Sequence, residues 1–215
     1  MIAHHPADDL LLAHAAGRLT AGPALLLDVH LEGCAACRAR MQPLLAVGGA
    51  LLEAAAPQPL APDAWSRTLE RIDAPPPASR PPGHARLPLP AGTPWPRALQ
   101  ACAPSPWRWM GPGMRFARLA LPADPAAKLF LLRIGPGRSL PRHSHAGIEF
   151  TQVLCGRFDD GRSSFGAGDF DATDDDVLHQ PVVRPGAECV CLAYLSDRLR
   201  FEGQIAGVIG GWVGL

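Results

Sequence analysis

Arg142-His143-Ser144-His145-Ala146-Gly147-Ile148-Glu149 puts two imidazoles and a carboxylate within a few residues, in a region that otherwise reads as short β-strands. On an extended segment His143 and His145 alternate, so both face the same way. Glu149 follows after a turn at Gly147, and His179 is the histidine a later strand can add. Three imidazoles and a carboxylate make a metal site inside a β-barrel, and that set suits Zn, Fe, Mn, Ni or Cu alike. A second cluster stands far upstream on helical sequence: His30, Cys34 and Cys37, spaced His-x3-Cys-x2-Cys. Residues three and four apart share a helix face, so these donors can converge on one ion. Thiolate with imidazole suits tetrahedral zinc, which needs a fourth ligand. His4 or His5 is the obvious supply, and His14 is a weaker one. A redox role for Cys34 and Cys37 lacks the βαβ pattern that goes with it.

The elements that must position these donors fall into two blocks. Residues 1–75 read as four short helices. The first starts after Pro6 with Asp8 and Asp9 at its positive end. The second runs from Pro23 to Gly33, the third from Cys34 to Ala56, and the fourth opens at Pro62 with Trp65, Leu69 and Ile72 on one face. These helices are unusually apolar. Either they pack on one another, or part of their surface is a patch for a partner. Residues 76–106 are Pro-rich and read as a semi-extended linker, with His84 solvated in it. Residues 107–215 carry short strand runs punctuated by Gly and Asp: Met114 to Leu121, Lys128 to Ile134, Gly147 to Leu154, Gly156 to Phe158, Gly168 to Ala172 and Glu188 to Leu195. That rhythm favours a barrel or jelly roll. Trp107 and Trp109 are placed to close its start, and the apolar tail from Phe201 to Leu215 has no assignment. The fold class is α + β in two domains, a small zinc-stapled helical bundle followed by a jelly-roll barrel.

Composition narrows the function. Among 215 residues, 20 basic side chains balance 20 acidic ones, and Lys128 is the single lysine. That balance argues against a sequence-independent grip on nucleic acid or anionic lipid, so neither direct DNA binding nor a membrane is expected. Six cysteines are too scattered for a secreted disulfide scaffold. The N-terminus lacks the basic and apolar regions of a signal peptide, and the expectation is a cytoplasmic protein. Cys189 and Cys191 alternate and can both point into the barrel, as oxidation targets or as plain core thiols, while Cys102 and Cys155 look incidental.

Two resemblances add to this. Gly137, His143-x-His145-x3-Glu149 and Gly156 fit the first cupin motif, Gly-x5-His-x-His-x3-Glu-x6-Gly, without a gap. The second motif is degraded: Gly166-Ala167-Gly168-Asp169 keeps its turn, but Asp174 to His179 lacks the usual Pro-x-Gly. The opening His-Pro-x-x-x-Leu-Leu, the Ala-Ala-Gly after it and His-x3-Cys-x2-Cys resemble the zinc-binding anti-sigma domain. The two domains in one chain resemble the ChrR-type anti-sigma factors over nearly the whole length. That resemblance implies zinc on His5, His30, Cys34 and Cys37, and a divalent metal, zinc first, on His143, His145, Glu149 and His179. It also implies a helical domain that masks an extracytoplasmic-function sigma factor, a barrel that senses singlet oxygen or organic hydroperoxide, and no enzymatic activity. The competing expectation is a cupin dioxygenase with a helical zinc accessory domain, because such enzymes use the same three-His, one-Glu set.

Overall fold

The computed structural model describes residues 1–75, 86–197 and 199–201. His84 and the tail beyond Phe201 lie outside them.

Four helices open the chain: α1 (Asp8–Ala15), α2 (Ala21–Gly33), α3 (Ala35–Ala54) and α4 (Ala64–Asp73). Asp8 and Asp9 occupy the first turn of α1, where carboxylates face unpaired amides. The break between α2 and α3 is one residue wide. Cys34 takes an extended conformation, and its Sγ caps α3 by accepting the Cys37 N–H at 3.4 Å. That single kink leaves His30 at the end of one helix beside Cys34 and Cys37 at the start of the next.

A short 3-10 turn (Arg97–Ala101) leads into β1 (Ala103–Pro104), β2 (Arg108–Gly111), β3 (Met114–Ala120) and β4 (Lys128–Ile134). Next come β5 (His143–His145), β6 (Glu149–Cys155), β7 (Arg157–Asp159) and β8 (Ser164–Gly166). The last are β9 (Phe170–Thr173), β10 (Val182–Val183), β11 (Cys189–Leu195) and β12 (Leu199–Phe201). The large sheet runs β1-β3-β4-β11-β6-β9, with β2 added beside β3. Facing it are a small sheet, β10-β7-β8, and the pair β12-β5. All pairings are antiparallel. Gly156, between β6 and β7, turns with φ +76°, and a Cβ there would lie 2.3 Å from the Glu188 carbonyl oxygen. Only glycine fits that corner.

The large sheet is buried on both faces, and this explains where the helical leucines go. On β11, Cys189 and Cys191 face the barrel interior, while Val190 and Leu192 face outward into a second core. That outer core joins Leu129, Leu131, Phe150 and Phe170 of the sheet to Leu11, Leu25, Leu26, Leu27, Val29 and Met41 of the helices. Burying a leucine contributes roughly 1.5–3 kcal/mol. The leucines of α2 alone therefore give the docking a gross term comparable with a domain's net stability. Neither sequence expectation for the apolar helices describes this fully. The α2 leucines pack on the barrel, whereas the apolar residues of the C-terminal part of α3 and of α4 stay exposed.

Other expectations need correcting. Helix α2 begins at Ala21, before Pro23, and α3 ends at Ala54, before Ala56. The last part of the Pro-rich stretch is not semi-extended. Leu99 and Cys102 are fully buried in the shared core, and Glu32 at the end of α2 accepts the Arg97 and Ala98 amides at 2.9 and 2.5 Å. Cys102 is thus core, and burial pushes its thiol up to about 11. Trp109 is exposed, so only Trp107 joins the core.

Candidate metal centres

The upstream residues come together, although across the break at Cys34 between α2 and α3 rather than on one continuous helix face, with His5 added from the segment before α1. The ligating atoms of His5, His30, Cys34 and Cys37 all lie within 4.8 Å of one another. His5 Nδ1 sits 3.3 Å from Cys34 Sγ and 3.4 Å from Cys37 Sγ. Those separations match donors held about 2.0–2.3 Å from a common tetrahedral ion. His30 meets the His5 ring edge-on, and its buried Nε2 makes no hydrogen bond of standard geometry. A buried nitrogen without a partner costs free energy unless something fills the place it points to. Burial, with Cys34 beside it, pushes the Cys37 thiol up to about 11. Burial also lowers the His30 pKa, keeping the imidazole neutral and able to donate its lone pair. A cation at this point would bring both thiols to the thiolate form, and the donor set fits zinc.

The adjacent histidine goes elsewhere. His4 lies against the Phe165 ring at 4.4 Å, and its Nε2 is 3.1 Å from Ser163 Oγ. His14 pairs with Asp28 at 3.1 Å.

Inside the barrel, β5 presents His143 and His145, the start of β6 presents Glu149, and His179 arrives on the segment before β10, bridged to His143. Their ligating atoms also fall within 4.8 Å of one another, and all four residues are buried. His143 Nε2 and His179 Nε2 stand 3.2 Å apart, and His145 Nε2 is 2.5 Å from Glu149 Oε2. The last two atoms nonetheless lack a well-directed hydrogen bond. Four buried donors crowded this closely, two of them short of a well-directed hydrogen bond, fit a divalent ion. The electrostatics agree. Burial lowers His143 and takes His179 down to about 4 against the pull of Glu149. For His145, burial acts in the same sense, but the close approach and charge of Glu149 outweigh it and raise the pKa. Burial would raise Glu149, yet the three surrounding imidazoles hold it low.

Several residues near the two centres carried no sequence signal. His143 Nδ1 points at the Pro141 carbonyl at 2.7 Å, which turns Nε2 inward. Asp160, with a fully buried side chain, stands 3.6 Å from His179 Nδ1 and is held by Arg162 and by the Arg162 and Ser163 amides. Gln152 faces His30 across the domain boundary. Beside the barrel cluster is a mostly apolar pocket whose lining includes Leu132, Phe158, Thr151, Cys189 and Cys191. The two sulfurs are 3.7 Å apart, and the Cys189 contact together with burial raises Cys191 well above an ordinary thiol.

Comparison with known proteins follows the same two-part division. Residues 96–197 match the family of ChrR cupin-like domains. Residues 6–38 match a zinc-finger family, a span that takes in His30, Cys34 and Cys37 and begins one residue after His5. The anti-sigma-E factor ChrR of Cereibacter sphaeroides is 39% identical over 212 residues, covering 97% of this chain and 96% of that protein. The crystal structure of Rhodobacter sphaeroides SigE in complex with the anti-sigma ChrR superposes with a TM-score of 0.76 at 34% identity. That superposition takes in 91% of this chain and 100% of the matched one. The chain therefore belongs to the ChrR family of two-domain anti-sigma factors.

Proposed function

We propose that this protein is an anti-sigma factor and not an enzyme. In this reading the helical domain, held by zinc on His5, His30, Cys34 and Cys37, sequesters an extracytoplasmic-function sigma factor. The barrel, with a divalent metal on His143, His145, Glu149 and His179, is the sensing half. The observation that carries the reading is the apolar surface left on α3 and α4. Helix α4 has no buried residue, yet its one face is Trp65, Leu69 and Ile72, with Trp65 74% and Ile72 71% exposed. Leu45, Leu51 and Leu52 of α3 are exposed as well. A helix of this length is marginal in water unless its apolar face packs on something. A surface of this kind marks a protein–protein site. The matched complex, in which a relative is bound to SigE, supports a sigma factor as the occupant.

The signal we propose is oxidative, singlet oxygen or organic hydroperoxide. Oxidation or ligand exchange at either centre would change the packing between helices and barrel, which share one core. The test is co-expression of the full chain with its cognate sigma factor, followed by pull-down, metal analysis and sigma-dependent transcription. A one-to-one complex holding metal at both clusters and silencing transcription is expected. Free sigma factor and unimpaired transcription would refute the proposal.

A further inference from the structure

The upstream cluster is not built by the helical domain alone. Strand β6 carries Glu149, a donor of the barrel cluster, on its inner face, and three residues on it carries Gln152 on its outer face. Gln152 is 2% exposed, and its Oε1 lies 3.0 Å from His30 Nδ1. The amide orientation follows from its other end, since Gln152 Nε2 donates to the Val153 carbonyl at 3.2 Å. Oε1 is therefore the atom facing His30, and it accepts a proton from Nδ1. That bond leaves Nε2 as the nitrogen with a free lone pair, and it is buried with no hydrogen-bond partner among the described residues. The barrel also steers His5. Asp169 accepts the Ala3 and His4 amides at 2.6 and 3.0 Å, and the Phe170 N–H donates to the His4 carbonyl at 3.1 Å.

We propose that the zinc site is completed across the domain boundary, with Gln152 of the barrel as the positioning residue that fixes the tautomer and ring orientation of His30. The inference rests on the reading of His5, His30, Cys34 and Cys37 as zinc ligands, and it goes one step further. A strand that holds a ligand of one centre on one face and orients a ligand of the other on its opposite face lets a displacement at Glu149 reach the zinc. Outer partners of metal-bound histidines are typically worth roughly 10- to 100-fold in metal affinity.

The test uses the full chain without sigma factor. Metal affinity is read by chelator competition and by the thiolate-to-cobalt charge-transfer band of the Co(II)-substituted protein, with a Cys34→Ser, Cys37→Ser double variant as the blank. Gln152→Leu is expected to weaken binding at the thiolate cluster at least tenfold and to shift that band. Gln152→Glu, which still accepts from Nδ1, is expected to bind close to wild type. Equal affinity and an unchanged band in Gln152→Leu would overturn the proposal. So would an equal loss in both variants, which would make Gln152 a packing residue only. If the wild-type chain showed no band above the blank, the ligand reading beneath the proposal would fall with it.

Discussion

Trp65 offers the sharpest perturbation of the proposed sigma-binding surface. A tryptophan can bury up to about 250 Å², and Trp65 leaves 74% of its surface exposed. Roughly 110–185 Å² of apolar area is thus available to a partner, worth about 3–5 kcal/mol at ~25 cal/mol/Å² before ordering costs. After those costs, an aromatic anchor at the centre of an interface typically retains about 2–4 kcal/mol, or roughly 30- to 1000-fold in Kd. Trp65→Ala should weaken the sigma complex by that factor. Because the side chain touches no core cluster, the free protein should lose less than about 0.5 kcal/mol of stability. Calorimetric titration with the sigma factor and a thermal melt of the free chain read the two quantities separately. Arg67→Ala, on the same helix and paired at the surface with Asp63, is the control and should leave Kd nearly unchanged. A Trp65→Ala variant that bound within threefold of wild type would refute the reasoning. An affinity loss matched by a large fall in Tm would instead make Trp65 structural.

Three further outcomes follow from the geometry. A Cβ on Gly22 would meet the Tyr194 ring at 2.6 Å, so Gly22→Ala sets an overpacking cost of about 1–3 kcal/mol against a helix gain of up to ~1. Denaturant melts should show it neutral or destabilising in wild type but stabilising beside Tyr194→Ala, and the same sign in both backgrounds would contradict the docking described. Glu149→Ala should empty the barrel centre in metal analysis while the thiolate cluster still takes up metal. Loss of both at once would mean that the centres form cooperatively. Asp160 is held below the usual carboxylate range because hydrogen bonds from Ser163 and Arg162 outweigh the raising effect of burial. Its stabilisation is therefore present above the unfolded pKa and lost as pH falls below about 4. Asp160→Asn should cost about 1–3 kcal/mol at neutral pH, since Arg162 is partly solvated, and should flatten the acid limb of the stability curve.

The two candidate clusters were legible because their residues are mostly local. His30, Cys34 and Cys37 lie within one kinked helix pair, and His143 and His145 alternate on one strand, so closeness in sequence brings them together in space. Strand β4 falls where the apolar run Lys128 to Ile134 puts it, and β11 begins one residue after the run from Glu188. What spacing does not carry is the pairing of distant surfaces. The α2 leucines read as a helix core or as an exposed patch, and their actual partner, the outer face of β4, β6 and β11, lies roughly 100 to 170 residues downstream. Gln152 gave no signal because an isolated glutamine in a strand reads as solvated until a histidine is docked on it. Strands as short as β1 and β10, two residues each, are defined by their partners rather than by any pattern of their own.

Hydrogen–deuterium exchange on the metal-loaded chain, with and without its sigma factor, tests the division of labour most directly. Binding should protect Ala35–Ala54 and Ala64–Asp73, which expose most of their surface in the free protein, and should leave β3 to β11 unchanged. Protection centred instead on the barrel pocket beside His143 and His179, with α3 and α4 exchanging as before, would contradict the account.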